Sequence, residues 1–96
     1  MQIFSWSTLR AYADTHAAAR PGLERWFHLA SKAAWTSPAE VRASDPAVSF
    51  VGDRMVFNIQ GNAYRLVVRV DWQRQWLFVR FVGTHAEYDR IQVEEI

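Results

Sequence analysis

The residues best suited to chemistry lie in the second half of the chain. Arg65 and Arg80 occur in apolar runs, and His85 and Tyr88 follow the last of these runs. Guanidinium groups bind phosphate oxygens through paired hydrogen bonds. A histidine exchanges protons near neutral pH, and a tyrosine hydroxyl can donate one. Such a set could cleave RNA without a metal, by attack of the 2′-hydroxyl on the adjacent phosphate, with Asn58 or Asn62 orienting the phosphodiester.

The stretch from Arg54 to Ile91 must position these residues. It contains three runs rich in β-branched and aromatic residues, and polarity alternates along each run. This alternation predicts a three-stranded antiparallel meander, because successive side chains of a strand lie on opposite faces of the sheet. Gly61-Asn62 is a two-residue hairpin signal, and the polar segment 71–74 predicts the second turn.

These turns predict which residues face each other. A two-residue loop places Asn58 opposite Arg65 and Phe57 opposite Leu66, and a loop at 71–74 places Arg65 opposite Arg80. One face is then the predicted core face: Met55, Phe57, Ile59, Tyr64, Leu66, Val68, Val70, Leu77, Val79 and Phe81. The other face carries a row of polar residues across three strands, with four further residues around it: Asn58, Arg65 and Arg80, then Val67, Arg69, Trp76 and Phe78.

Two interpretations of the arginine row stay open. Directly opposed arginines repel each other and add nothing to the stability of a sheet. They form either a solvated face, with the guanidinium groups spread over Trp76 and Phe78, or an anion site. A lone histidine after a strand usually stabilises a turn, and Tyr88 can pack back on the core. Glu87 and Asp89 are more typical of caps and salt bridges than of catalysis.

Helical periodicity precedes the meander. Ser5 or Ser7 is expected to cap a first helix over about 6–17, and Pro21 to begin a second one over about 21–35. A third, short helix is expected through about residue 43. Helices followed by antiparallel strands indicate an α+β fold, with the N-terminal helices packed on the apolar face of a twisted sheet.

The two ends of the chain are expected to differ. The apolar run from Met1 to Phe4 could add an edge strand to the sheet. After Phe81 the last strand is expected to end at Val82-Gly83, and the polar segment from Thr84 onward to form one helical turn and then fray. The arginine face would then be left open.

Composition sets further limits. The chain has 96 residues, of which 50% are hydrophobic, so one folded domain over 1–96 is expected. A net charge of +1 does not by itself indicate a nucleic-acid partner. The absence of cysteine excludes disulfides and thiolate metal sites, and three separated histidines do not suggest a metal cluster, so no metal or cofactor is expected. No membrane span or signal peptide is apparent, which favours a cytoplasmic protein.

Several segments together resemble the HigB toxin family, a branch of the RelE-like toxins of bacterial toxin–antitoxin pairs. The pattern N-x-x-G-N-x-x-R, a later arginine and T-H-x-E-Y-D are specific in combination. They occur here as Val56–Ile59, Gly61-Asn62, Tyr64–Val68, Arg80–Gly83 and Thr84–Asp89. The resemblance extends over the whole chain, from Leu9-Arg10 through the helix of Trp26 and the Trp35–Pro38 junction to Phe50–Gly52.

The resemblance implies a small RelE-like fold and a cytoplasmic endoribonuclease that cuts mRNA on the ribosome. A HigA-like antitoxin with a helix-turn-helix would silence it. Four residues match positions that RelE-like toxins use at or near the scissile phosphate and are the implied catalytic set: Arg65, Arg80, His85 and Tyr88. Asn58 and Asn62 match the asparagines of the family motif and are expected to bind substrate.

The chain departs from the family at Ala63, where relatives commonly carry lysine. With Lys32 as its single lysine, some phosphate contacts must come from Arg69, Arg74 or elsewhere. Two other functions stay open. One is a non-catalytic nucleic-acid- or partner-binding module that uses the same open sheet face, with the Trp76 and Phe78 rings stacking on bases. The other is a structural subunit whose open face is covered by a partner.

Overall fold

Helices come first in the chain and a sheet follows, as the sequence pattern predicts. The computed structural model describes all residues from 1 to 96. Its elements are β1 (Gln2–Phe4), α1 (Trp6–Thr15), α2 (Arg20–Lys32), α3 (Pro38–Ser44), β2 (Ser49–Val51), β3 (Arg54–Ile59), β4 (Tyr64–Asp71), β5 (Trp76–Thr84) and α4 (His85–Tyr88). Short 3₁₀ turns occupy Ala17–Ala19 and Val93–Glu95. The α+β class is confirmed.

The helix boundaries follow from local capping. Ser5 adopts a left-handed φ of 72° and its side chain makes no cap, so the expected serine cap of α1 is wrong there. Pro21 lies in the first turn of α2, as predicted, but α2 ends at Lys32, three residues early. At the start of α3, the Ser37 hydroxyl accepts a hydrogen bond from the Glu40 N–H at 3.4 Å.

The early end of α2 coincides with the N-terminal amine of Met1. This amine donates to the carbonyls of Ala30 and Ser31 in the last turn of α2 and to that of Ala33 just beyond it, where the hydrogen-bond ladder of the helix runs out. A positive charge there also interacts favourably with the negative end of the helix dipole. Burial lowers the pKa of the Met1 amine. These bonds place the start of the chain beside α2 and lead it into β1.

The sheet has five strands in the order β1-β5-β4-β3-β2. The predicted edge strand at the start of the chain is present, but it runs parallel to β5, so the sheet is mixed and not wholly antiparallel. The register of the first hairpin is confirmed, with Asn58 opposite Arg65 and Phe57 opposite Leu66. The positive φ angles lie at Gln60 and Gly61, one residue earlier than the turn signal suggested.

The register between β4 and β5 differs from the prediction. The loop is 72–75, so Val70 faces Leu77 and not Gln75. This two-residue shift preserves the faces. A β-bulge at Arg80 then adds one residue, and Arg65 faces Gly83. The predicted pair of Arg65 and Arg80 is therefore wrong.

The same bulge moves Phe81 to the opposite face, where it faces Val67 and not the main core. The other fully apolar positions of the predicted core face are buried as expected. They pack under the helices in a cluster that includes Leu9, Leu23, Trp26, Met55, Phe57, Ile59, Leu66, Val68, Val70, Leu77 and Val79. We call this side of the sheet the core face and the opposite side the second face.

The C-terminal segment covers part of the second face and does not fray. Val93 is 7% exposed and packs against Val56 and Val67. The Arg54 Nε–H donates to the carbonyl oxygen of Ile96 at 2.7 Å, which fixes the end of the segment. The prediction of a fully open second face is therefore wrong for its β3–β4 half. No helix has the length and apolar character that crossing a membrane requires.

Candidate active site

The β3–β4 hairpin positions the first group of predicted site residues. Arg65 lies on the second face, and its Nη1 donates to the carbonyls of Asn62 and Tyr64 at 3.2 and 3.3 Å. No carboxylate lies within 4.0 Å of its guanidinium group, unlike those of Arg54 and Arg69. Since a guanidinium carries five N–H donors, the remaining ones are available to an anion.

The end of β5 brings His85 to this hairpin. The backbone N–H of His85 donates to the carbonyl of Ala63 at 3.3 Å. A capping box at Thr84 and Glu87 starts α4 at this point, with both reciprocal hydrogen bonds present. The structure therefore places His85, Asn62 and the Arg65 strand at one end of the sheet.

Asp89 orients the His85 ring. Its Oδ2 lies 3.1 Å from Nδ1 of His85, one helical turn away on α4. A carboxylate at this position favours the tautomer with hydrogen on Nδ1, which leaves Nε2 as an acceptor. Both side chains are more than half exposed, so the pair contributes orientation and little stability.

Gly83 lies opposite Arg65, at a position where a side chain would not fit. A Cβ on Gly83 would lie 2.6 Å from Cζ of Phe81 and 3.1 Å from a carboxylate oxygen of Glu87. The Phe81 ring therefore occupies the space beside Arg65 that the sequence assigned to Arg80. Glu87 accepts the Thr84 N–H at 2.8 Å, and this backbone hydrogen bond holds the pKa of its carboxyl below the ordinary value.

Arg80 remains on the second face but lies further along the strand. Its guanidinium carbon is 5.9 Å from the centre of the Phe78 ring. The bulge places it level with the Val67–Val68 peptide, two to three residues from Arg65 along β4, or about 7–10 Å. The two arginines therefore share a face without forming the predicted row.

Tyr88 packs against Phe81, with ring centres 6.5 Å apart and the ring planes tilted by 50°. It belongs to the cluster that the C-terminal segment forms with Val56 and Val67. Tyr88 therefore packs on an apolar cluster, as one alternative from the sequence suggested. The cluster lies on the second face, however, and is not the main core. The Tyr88 hydroxyl makes no hydrogen bond to the protein, and the ring is half-buried.

Arg69 and Trp76 lie at the other end of the second face. Arg69 donates to Oδ2 of Asp53 at 3.0 Å, and Asp53 also pairs with Arg54. Burial tends to raise the pKa of Asp53, but the hydrogen bonds and charges of the two arginines lower it overall. Trp76 begins β5, nine residues before His85. Neither residue is close to the hairpin end in the sheet register.

The motif asparagines line a groove of about 610 Å³ beside the outer edge of β3. This edge is free because β2 pairs with β3 only as far as Val56. Asn58 and Asn62 form one wall of the groove, and α2 contributes Arg25 and Trp26. Trp26 is 4% exposed, and its indole N–H has no partner in the protein.

A family model described as HigB toxin, the RelE-like toxic component of a toxin–antitoxin system, matches residues 19–91. The chain belongs to the HigB toxin family. It is 26% identical over 92 residues to the mRNA interferase toxin HigB of Escherichia coli K12, which covers 93% of this chain and 88% of that protein. The mRNA interferases HigB of Escherichia coli O157:H7 and Shigella flexneri match to the same extent. The family that the sequence motifs indicated is thus confirmed.

This HigB-family chain also carries site residues that the sequence reasoning missed. The Tyr12 ring stacks on His16 with centres 3.9 Å apart, and its hydroxyl lies 3.4 Å from Oε1 of Glu87. Burial and the Glu87 charge raise the pKa of Tyr12 to about 12, so this hydroxyl keeps its proton. The spacing of four residues between Tyr12 and His16 on α1 was the available signal.

The titratable residues of the HigB-family chain do not converge on a common point. No group of three or more histidine, aspartate or glutamate side chains is arranged to hold a metal ion. His16 follows α1 and His85 begins α4. Tyr12 stacks on His16, and its hydroxyl lies near Glu87, which caps α4 together with Thr84. The hairpin end of the sheet therefore offers proton donors and acceptors together with the guanidinium group of Arg65.

Proposed function

We propose that this chain is an endoribonuclease that cleaves mRNA and thereby inhibits translation. The observation that carries the proposal is the hydrogen bond from the His85 N–H to the Ala63 carbonyl. It holds a proton-transfer group beside the hairpin that carries Arg65, whose guanidinium contacts no carboxylate. Membership of the HigB family, and relatives that are mRNA interferases, support the same activity.

The proposed reaction is a metal-free transesterification. The 2′-oxygen attacks the adjacent phosphorus and gives up its proton to Nε2 of His85, the ring nitrogen that does not face Asp89. The bond from phosphorus to the 5′-oxygen breaks, and that oxygen takes a proton. The products are a 2′,3′-cyclic phosphate and a 5′-hydroxyl end. Arg65 stabilises the negative charge that develops on the phosphate oxygens. Tyr88 is the proposed proton donor, since its hydroxyl has no protein acceptor.

The remaining predicted residues are proposed to bind the substrate on either side of the scissile phosphate. Asn58 and Asn62 would orient the RNA at the hairpin, where both line the groove beside β3. Arg80, Arg69 and Trp76 would contact the strand further along the second face. In this arrangement Arg80 binds the backbone and does not share the scissile phosphate with Arg65, because the bulge separates the two.

We also propose the setting that the family resemblance implies. The substrate is mRNA engaged by the ribosome in the cytoplasm, and the inhibitor is a HigA-like antitoxin with a helix-turn-helix. With Ala63 where relatives commonly carry lysine, the arginines of the second face supply the phosphate contacts. A gene for a small helix-turn-helix protein is expected beside the gene for this chain.

Replacement of His85 and Arg65 tests the activity. Expression of the chain should arrest growth, and translated mRNA should acquire new 5′-hydroxyl ends in a translation-coupled cleavage assay. His85→Gln should lower the cleavage rate about 10²–10⁴-fold, and Arg65→Ala about 10²-fold or more. His28→Gln and Arg10→Gln are the matched controls, because both residues are exposed on helices away from the hairpin.

Three outcomes would contradict the proposal. One is undiminished cleavage by folded His85→Gln protein. Another is the same loss of activity in the His28→Gln control. A third is cleavage of RNA that carries 2′-deoxyribose at the scissile position, because the 2′-oxygen is the proposed nucleophile. Comparison of translated mRNA with free RNA then tests the role of the ribosome separately.

A further inference from the structure

Three aromatic rings form a continuous strip on the second face, where β1 pairs with β5. The rings of Phe4 and Phe78 are stacked, with centres 5.0 Å apart and planes inclined by 15°. The edge of Trp76 meets Phe4 at 5.2 Å and Phe78 at 6.0 Å. Phe4 was not among the predicted site residues, because only the parallel pairing of β1 brings it here. We call Phe4, Trp76 and Phe78 the aromatic strip.

The aromatic strip belongs to neither hydrophobic cluster of the protein. The main cluster lies on the opposite face, under the helices. The second cluster lies under the C-terminal segment and includes Phe81, three residues after Phe78 and beyond the bulge at Arg80. The three residues of the strip are half-buried, so part of each side chain stays accessible. Neighbouring aromatic rings left out of both cores are not explained by folding alone.

Three arginines surround the strip. The guanidinium carbon of Arg74 lies 5.3 Å from the centre of the Trp76 ring. Those of Arg69 and Arg80 each lie 5.9 Å from the Phe78 ring. Arg69 and Arg74 are held by salt bridges to aspartates, whereas Arg80 is exposed and has no carboxylate within 4.0 Å. The strip thus combines flat apolar surfaces with fixed positive charge.

We propose that the aromatic strip binds single-stranded RNA on the flank of the scissile phosphate. Unpaired bases would stack on Trp76 and Phe78, and Arg80 would contact the backbone between the strip and the hairpin. Aromatic rings stack on unpaired bases and arginines bind the adjacent phosphates, so the two groups together suit single-stranded RNA. A protein partner would need acidic side chains to match the arginines. It would use the rings only as apolar surface, which does not require flat aromatic faces.

The position of the strip agrees with single-stranded RNA as the ligand. This inference rests on the proposed nuclease function and extends it. β5 runs from Trp76 at the strip to Thr84 beside His85, nine residues or about 26 Å. A few unstacked nucleotides span such a length, and Arg80 lies between the two ends. The open half of the second face along β5 is the half that the C-terminal segment leaves uncovered.

Binding of an uncleavable strand tests the proposal without the nuclease reaction. The probe is a fluorescein-labelled, fully 2′-O-methylated eight-nucleotide RNA, measured by fluorescence anisotropy. Phe78→Ala and Trp76→Ala should each raise its Kd about 5- to 100-fold. Trp76→Phe should retain most of the affinity, because it keeps a ring. His28→Gln, an exposed position on α2, should bind as tightly as the unchanged protein.

Arg80→Gln should raise the Kd about 3- to 10-fold and lower its dependence on salt. Arg42→Gln is the matched control, because Arg42 also lies over an aromatic ring, Phe50 at 4.8 Å, but at the other edge of the molecule. That variant should bind as the unchanged protein does. Double-stranded RNA of the same sequence should bind at least 10-fold more weakly, since its bases are not available for stacking.

The outcomes separate this proposal from the proposed nuclease function. If the strip variants, folded by circular dichroism, bind the probe as tightly as the unchanged protein, the strip is not an RNA site, whether or not the protein cleaves mRNA. Equal binding of duplex and single strand, or equal losses in Arg80→Gln and Arg42→Gln, would also overturn it. If strip variants lose probe binding while the unchanged protein cleaves no mRNA, the strip stands and the nuclease function falls.

Discussion

The two faces of the sheet bury similar residues but are covered in different ways. On the core face, helices α1 and α2 cover an unbroken apolar surface that includes Phe57 and Leu66. On the second face, the C-terminal segment covers Val56, Val67 and Phe81 with their neighbours, and the part of β5 before the bulge stays open. Arginines and aromatic rings occur where the cover stops. The core face therefore supplies most of the stability of the fold. The uncovered part of the second face is where a substrate can reach functional side chains.

The largest expected effect is a cavity in the core face. Leu66 is fully buried, so Leu66→Ala should lower the free energy of unfolding by about 2–5 kcal/mol. Val67→Ala, the next residue but on the second face, should cost less, about 1–2 kcal/mol, because it removes fewer methyl groups under a thinner cover. Urea denaturation of both variants checks the order. A larger loss for Val67→Ala would show that the second face is the principal core.

A side chain added at Gly83 should also destabilise the protein. The new Cβ of Gly83→Ala would press on the Phe81 ring and Glu87, at an expected cost of about 1–3 kcal/mol. The double variant Gly83→Ala/Phe81→Leu should recover part of this loss, because the ring tip is gone. The denaturation midpoints of the single and double variants test this. Simple additivity would mean that Phe81 does not fill the space beside Arg65.

The C-terminal segment should contribute a measurable share of stability. Val93→Ala removes buried methyl groups over Val56 and Val67 and should cost about 1–2 kcal/mol. Glu94→Ala is the control, since residue 94 is exposed and its carboxylate makes no hydrogen bond in the protein. Hydrogen exchange of Val67 should become faster in the first variant only. Equal stability of the two variants would show that the segment is loosely attached.

The capping box at the hairpin end predicts a pH dependence. The pKa of Glu87 is lowered by the Thr84 backbone hydrogen bond, so the folded state favours the carboxylate. The stabilisation is present above about pH 4.5, the ordinary pKa, and is lost as the pH falls through the lower folded value. Glu87→Gln should therefore lower the denaturation midpoint at neutral pH and make little difference near pH 3. A constant difference at all pH values would exclude this linkage.

The smallest expected change in stability is at Arg80. Because its side chain is exposed, makes no salt bridge and lies 5.9 Å from the centre of the Phe78 ring, Arg80→Gln should alter the free energy of unfolding by less than about 1 kcal/mol. The bulge removes the repulsion with Arg65 that direct pairing would cause, so no gain in stability is expected either. Urea denaturation checks this. A loss of several kcal/mol would make Arg80 part of the structure and not of an RNA-binding surface.

The sequence alone determined the α+β class, the family, the register of the first hairpin and most of the core face. Met55, Phe57 and Ile59 share one face, polar Asn58 lies on the other, and Gly61 marks the turn, so one register buries all three apolar side chains under the helices. The family motif identified Arg65 and His85 by residue type. The hydrogen bond that joins the end of β5 to the hairpin is a long-range contact, so their positions at one end of the sheet depended on the fold.

The tertiary structure decided the bulge, the cover of the second face and the aromatic strip. From Trp76 to Val82 every residue except Arg80 is apolar, so alternation could not locate an extra residue in β5 or show that Phe81 changes face. The apolar residues of the C-terminal segment are stabilising only because a distant part of the chain leaves Val56 and Val67 uncovered. Phe4 likewise joins Phe78 only through a strand pairing across the whole chain, which local patterns do not encode.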